Sequence, residues 1–94
     1  MKEYAMLFKA LSDENRIKIV QMIQNGETCA CTLIEGLDIT QPTLSYHMKY
    51  LTDSGLIESR KDGNWTKYKL KEHSILLLRE FIEGFNPKGN REND

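Results

Sequence analysis

The chain has 94 residues, with 13 Lys and Arg against 14 Asp and Glu and a formal net charge of −1. That length is one small domain. At this size a chain buries only about 60–65% of its unfolded surface, so the core is thin and a second copy is expected to cover apolar faces. The longest apolar run, residues 75–78, is far short of a membrane span, and residues 5–8 are too few for a signal-peptide core. The expectation is a soluble, cytoplasmic protein with no membrane partner. Two cysteines, Cys29 and Cys31, make no disulfide framework.

A first helix is predicted over residues 3–11, where Tyr4, Leu7, Phe8 and Leu11 recur at i, i+3, i+4 and i+7. Ser12-Asp13 supplies a stop and an N-cap, and Glu14 suits the positive end of the helix that follows. That helix carries Ile17, Val20 and Ile23 on one side, with Ile19 and Met22 beside them, and ends at Asn25-Gly26. A short helix-like segment over 29–37 turns Leu33, Ile34 and Leu37 inward. Thr40 caps the next helix, Pro42 is tolerated in its first turn, and Leu44, Met48 and Leu51 form its buried stripe. After Ser54-Gly55 the period changes to two. Residues 56–60 and 65–70 flank Lys61-Asp62-Gly63-Asn64, and Asp-Gly between alternating strands predicts a hairpin whose central residues both take positive φ. In the second strand Thr66, Tyr68 and Leu70 take one face and Trp65, Lys67 and Lys69 the other. The last helix, over 72–85, repeats Ile75, Leu78, Ile82 and Phe85. Leu76 and Leu77 widen its apolar face beyond one core contact, which favours a second partner. Residues 86–94 are polar and expected to be disordered, leaving 1–85 as the folded domain. The fold class is mainly α with a β-hairpin wing, in the order α-α-α-α-β-β-α, a winged helix-turn-helix.

Charge is uneven along this order. Residues 41–71 hold Lys49, Arg60, Lys61, Lys67, Lys69 and Lys71 against Asp53, Glu58 and Asp62, and the segments on either side are each net acidic. A solvated surface would account for the charge alone. The outward side of the 40–51 helix argues for more, because Gln41, Thr43, Ser45, Tyr46 and His47 are hydrogen-bonding side chains and only Lys49 adds a fixed charge. Gln pairs bidentately with adenine, Ser and Thr reach base edges or phosphate, and Thr40 stands at the free N–H end of the helix. Lys49, Arg60, Lys61 and Lys67 would supply the sequence-independent phosphate attraction. Tyr46 and His47 have a second reading, packing on the domain itself. The expected partner is double-stranded DNA, with a protein-binding winged-helix module as the alternative. An enzyme using Cys29 as nucleophile lacks an obvious base.

Ile39-Thr40-Gln41-Pro42-Thr43-Leu44-Ser45-Tyr46-His47-Met48-Lys49-Tyr50-Leu51 resembles the recognition-helix signature of the ArsR/SmtB family of bacterial metal-sensing repressors. Phe8-Lys9-Ala10-Leu11-Ser12-Asp13-Glu14-Asn15-Arg16, Ser54-Gly55-Leu56-Ile57 and Arg60-Lys61-Asp62-Gly63 match as well, so the resemblance spans about residues 3–85. It implies repression by operator occupancy, release on metal binding, and no cofactor for DNA binding itself. It also implies a homodimer built on the first and last helices, through Tyr4, Leu7, Phe8, Leu11, Ile75, Leu78, Ile82 and Phe85.

Glu27-Thr28-Cys29-Ala30-Cys31-Thr32-Leu33 resembles the metal box of that family, a Glu-Leu-Cys-x-Cys-Asp-Leu pattern from which Thr28 and Thr32 depart. Some arsenic-responsive members add a third cysteine just after the box. Ile34 and Glu35 stand there in this chain, so a third ligand is open: water, a small thiol or another protein group. The zinc-type members place ligands on the last helix, but Gly84 occupies the place of a second imidazole beside His73, Glu80 and Glu83. The cadmium and lead type adds N-terminal cysteines, and residues 1–28 contain none. The resemblance therefore implies arsenite or antimonite as inducer, held by the thiols of Cys29 and Cys31, since soft thiolates select soft ions. Another thiophilic metal or a redox signal is the alternative. Positions i and i+2 of a regular helix lie about 200° apart, so a helix running through both cysteines could not close a chelate. Binding is expected to unwind the first turn of that segment and thereby loosen the grip on the operator.

Overall fold

Helix α1 (Lys2–Ala10) and helix α2 (Glu14–Ile23) open the computed structural model, which describes residues 1–89. Residues 90–94, the last part of the tail expected to be disordered, lie outside the described residues. Asp13 makes the join in extended backbone, and its carboxylate accepts from the N–H groups of Asn15 at 2.8 Å and Arg16 at 3.2 Å. Those donors have no partner inside the helix, which is why an aspartate here starts α2 cleanly. There follow strand β1 (Thr28–Cys29), helix α3 (Ala30–Gly36), helix α4 (Gln41–Asp53), strands β2 (Ile57–Asp62) and β3 (Trp65–Leu70), and helix α5 (Glu72–Glu83). The helices and the hairpin come in the expected winged helix-turn-helix order, with the two-residue strand β1 as an addition.

The core is built from Leu7 and Ala10 of α1, Ile19 and Ile23 of α2, Leu33 of α3, the Leu44–Met48–Leu51 stripe of α4, and Leu56 and Ile57 at the start of the wing. Two expectations are corrected here. Ile17 is 44% exposed, and Arg16, at 7%, takes the inward position with Ile19 and Ile23. The spacing i, i+3, i+7 fits that stripe as well as the all-apolar one, and the guanidinium is tolerated because it finds acceptors inside. Leu7, expected on the dimer face, is 1% exposed and closed within the core of its own chain. Helix α1 packs on both α4 and α5, so its most inward position is already filled.

The sheet runs β1-β3-β2, antiparallel throughout. Strands β2 and β3 pair from Ile57↔Leu70 to Asp62↔Trp65, which makes Gly63-Asn64 the two-residue turn. Gly63 has φ 64°, while no non-glycine among the described residues has positive φ. Only the first central residue is left-handed, the requirement of a type II′ turn rather than the expected type I′. At the other end of the wing, the buried hydroxyl of Ser74 donates to the carbonyl of Gly55 at 2.5 Å, tying α5 to the turn that leaves α4.

Candidate nucleic-acid interface and thiol site

Helix α4 starts with Thr40, whose hydroxyl accepts from the Thr43 N–H at 3.3 Å and donates to the Thr43 hydroxyl at 3.0 Å. Both threonines are thus partly committed to the cap. Gln41 and Ser45 lie one turn apart and exposed, and Lys49 continues the same row with an ion pair to Asp53 at 3.2 Å. Tyr46 is exposed and packs edge-on to Tyr50 with ring centroids 5.2 Å apart.

His47 does not join this surface. It is 5% exposed, and its Nδ1 accepts from Arg16 Nη1 at 3.0 Å. Arg16 also donates from Nε to the Ala10 carbonyl at 2.8 Å, and its guanidinium lies 4.5 Å from the centroid of the Tyr50 ring. The Asp13 carboxylate is 3.9 Å from the same imidazole nitrogen. The end of α1, the cap of α2 and the middle of α4 therefore meet at one polar hub, with His47 buried in it and turned away from the exposed side of α4. Burial acts to raise the Asp13 carboxyl, but the Arg16 and Asn15 amides and the nearby His47 and Arg16 outweigh it and hold it below the usual carboxylate value.

On the wing, the expected cations are largely spoken for. Arg60 donates Nε to Glu27 Oε2 at 2.6 Å and Nη2 to Glu27 Oε1 at 2.8 Å, a bidentate pair. The Arg60 hydrogen bond holds the Glu27 carboxyl below its ordinary range, and Glu27 raises the guanidinium in return. Lys67 pairs with Asp62 at 3.1 Å and Lys69 with Glu58 at 3.7 Å. Lys61 is exposed and has no carboxylate partner among the described residues. Trp65 stands exposed beside the turn. In the sequence Glu27 stands out only as the first residue of the metal box. Its partner is 33 positions away, so no local pattern announces the pair.

Cys29 is both the last residue of β1 and the N-cap of α3, in extended backbone with φ −73° and ψ 142°. Cys31 is the second residue of the helix. The break between strand and helix falls between the two, so the 200° separation of a continuous helix does not arise. Their Cα atoms are 5.2 Å apart and their sulfurs are joined as a disulfide pair, while the Cys31 N–H points at Cys29 Sγ at 3.2 Å. The expected unwinding is therefore not needed to bring the sulfurs together. Reduced to thiols, these two half-buried sulfurs, two positions apart in the chain, would suit a soft ion as two of its ligands. Among the described residues no group of three or more His, Cys, Asp or Glu surrounds them. No helix among the described residues is long and apolar enough to cross a membrane.

The family described as "Bacterial regulatory protein, arsR family" matches residues 13–59. A protein named arsenical resistance operon repressor, from Staphylococcus aureus, is 48% identical over 75 residues, which is 80% of this chain and 71% of that one. Another of the same name, from Bacillus subtilis (strain 168), is 39% identical over 92 residues, 95% of this chain and 88% of that one. The homodimeric winged helix-turn-helix DNA-binding domain of a possible ArsR-family transcriptional regulator from Mycobacterium bovis superimposes with a TM-score of 0.74 at 22% identity, over 87% of this chain and 76% of that one. That last likeness is one of fold. The family match runs from the Asp13 cap across both thiols and the whole of α4 into β2, and the two sequence relatives extend it over most of the chain. The chain belongs to the arsR family of bacterial regulatory proteins, which are DNA-binding transcriptional regulators and not enzymes.

Proposed function

We propose that the protein is a transcriptional repressor of the bacterial cytoplasm that holds an inverted-repeat operator as a homodimer and lets go when arsenite or antimonite is bound by Cys29 and Cys31. The observation that carries this reading is the meeting of the two sulfurs at the β1–α3 junction, from which α3 alone leads to α4. Two thiols on one short segment gain the effective-concentration advantage of a chelate over separate thiols. The names of the Staphylococcus and Bacillus relatives support the choice of ion. Gln41, Ser45 and Tyr46 read base edges in the major groove, Thr40 and Thr43 face the backbone at the helix start, and Lys49, Lys61 and Lys67 meet phosphate.

The dimer face is the outer side of α1 and α5. Tyr4, Phe8 and Phe85 gather around Phe81, with their ring centroids 5.0 to 5.1 Å from its own. Phe8, Leu76, Ile82 and Phe85 remain exposed there, at 54% for Ile82 and 61% for Phe85, while Leu11, Ile75 and Leu78 lie half-buried beneath. A second copy of this chain is the cover such a face needs, and the Mycobacterium bovis domain of the same fold is homodimeric. Residues 1–85 form the working domain and 86–94 its polar tail.

The test is fluorescence anisotropy of the reduced protein on DNA from upstream of its own operon. Salt-sensitive binding to an inverted repeat with half-sites about 10–10.5 bp or a multiple apart is expected. Arsenite should weaken it about 100-fold, a coupling of about 2.7 kcal/mol. Cys29→Ser and Cys31→Ser should bind DNA as the parent does and ignore arsenite. Absence of salt-sensitive binding refutes the repressor. Loss of DNA binding in the serine variants without arsenite makes the cysteines structural. A second reading, release by thiol oxidation, is favoured by the pairing of the two sulfurs. Weaker DNA binding under oxidising conditions with no arsenite present supports it.

A further inference from the structure

Glu27 reaches across the sheet. The strand order is β1-β3-β2, Glu27 directly precedes β1 and Arg60 lies in β2, so their bidentate pair ties the two outer strands over the central one. Strand β1 is only Thr28 and Cys29, held by the pairs Thr28↔Tyr68 and Cys29↔Lys67. Two residues of ladder are a marginal element, so a side-chain tie beside them matters more than it would on a long strand. The main packing partners of β1 are β3 and α3. Glu27, Arg60, Lys67 and Lys69, with Glu58 and Ser59, line one groove of about 210 Å³ over this sheet.

Cys29 sits two residues after Glu27 and also caps α3. A change of backbone at Cys29 is therefore felt forward, at the start of α3, and backward, at Glu27. Arg60 is next in chain to Lys61 and opposite Lys67 in register. Once Arg60 is taken by Glu27, the wing cations left to meet phosphate are Lys61 and Lys67, the second of which would have to exchange its Asp62 partner at 3.1 Å for the phosphate.

We propose that the Glu27–Arg60 ion pair is the positioning contact that carries occupancy of the two thiols to the wing, so that release of DNA starts at the wing and not at α4. This rests on the repressor reading above and names the route of its regulation. When Cys29 and Cys31 turn to share an ion, β1 shifts on β3, Glu27 moves with it, and the seat that fixes Arg60 is lost. Lys61 and Lys67 then leave their phosphates. Helix α4, pinned at the Arg16–His47 hub, keeps its place on the core.

The experiment compares the reduced parent with Glu27→Gln, Arg60→Gln, the two together, and the charge swap Glu27→Arg with Arg60→Glu. One readout is the ratio of operator affinities without and with arsenite. The other, taken with no arsenite, is amide exchange at Thr28, Cys29, Lys67 and Tyr68. Each single change is expected to cut the ratio about three- to fivefold, the scale of a partly exposed bidentate pair. The double change should cut it no further, and the charge swap should restore most of it. Amide exchange should quicken in the singles and slow again in the swap. The proposal is overturned by singles that keep the parental ratio, by a double change that adds the two effects, or by a swap that stays as low as the singles. Failure of the repressor reading looks different: the parent itself then gives a ratio of one, and the coupling falls with it. In that case amide exchange still decides whether the pair holds β1 on the sheet.

Discussion

Helix α4 rests on Leu44, Met48 and Leu51, and its one inward polar side chain, His47, is locked to Arg16 at 3.0 Å. The wing is secured by Arg60–Glu27, Lys67–Asp62 and Lys69–Glu58, every one of them at least partly in solvent. Contacts of the first kind are indifferent to salt and cost much to break. Those of the second kind are screened over about 8 Å at physiological ionic strength and contribute little each. A regulator gains from the contrast. The helix that reads bases keeps one orientation, while the sheet that adds phosphate contacts can be released by a small push. The thiol pair lies on the side of the softer region, since Cys29 belongs to β1 and pairs with Lys67 in the wing sheet.

The contrast predicts its own breaking points. Leu51→Ala should have the largest effect, a loss of about 2–5 kcal/mol in denaturant unfolding, since Leu51 is fully buried. Lys67→Ala on the wing should leave the unfolding midpoint nearly where it was. Equal losses at the two positions would abolish the distinction. Arg16→Met comes next. It leaves the Ala10 carbonyl and His47 Nδ1 without their donor, at a cost of about 1–3 kcal/mol that does not change between low and high salt. Its effect on DNA should be the same for all sequences, because it tilts the helix without touching a base. Gln41→Ala should do the opposite, leaving stability alone and costing about 1–3 kcal/mol at one base pair, read by binding to operators substituted one position at a time.

Much of this arrangement is legible in the sequence, and for local reasons. Thr40, Pro42 and the Leu44, Met48 and Leu51 spacing mark α4 within a dozen residues. The change to period two marks the wing just as locally. His47 keeps two readings in the sequence because it lies about 60° from Leu44 around the helix, on the border of the buried stripe, where periodicity does not decide. What settles it is Arg16, 31 residues away. The sequence turns Ile17 inward for the converse reason, since hydrophobicity ranks it above Arg16 and nothing nearby in the chain shows that Arg16 has acceptors waiting. Strand β1 is two residues long, too short to alternate. Without it, Cys29 and Cys31 read as one helix and the thiol geometry comes out wrong. The Glu27–Arg60 pair is invisible for the same reason as the hub, since its ends meet only after the sheet has formed.

Asp13 tests the helical side of the contrast by pH. Asp13→Ala should cost about 1 kcal/mol at neutral pH through the lost cap of α2. The folded carboxyl is held below its ordinary value of 3.8. Its contribution is therefore complete above that value and disappears as the pH falls through the lower, folded one. The stability difference between parent and variant should stay constant from neutral pH down to about pH 4 and close only below it. A difference that closes at higher pH would mean that the cap hydrogen bonds do not hold the carboxylate in its charged form.

The smallest effect belongs to Lys61, and it is the sharpest probe of the wing. Its ammonium is exposed and has no carboxylate partner among the described residues, so removing it exposes no buried group and breaks no internal pair. Lys61→Ala should leave unfolding unchanged and weaken binding to operator and unrelated DNA by the same factor. It should also reduce the slope of log affinity against log salt by about one, the signature of one lost phosphate contact. Trp65 is the single tryptophan and stands exposed on the same hairpin, so its emission reports whether the wing still docks. An unchanged salt slope with unchanged tryptophan emission on adding DNA would mean that the wing never reaches the backbone, leaving α4 to hold the operator alone.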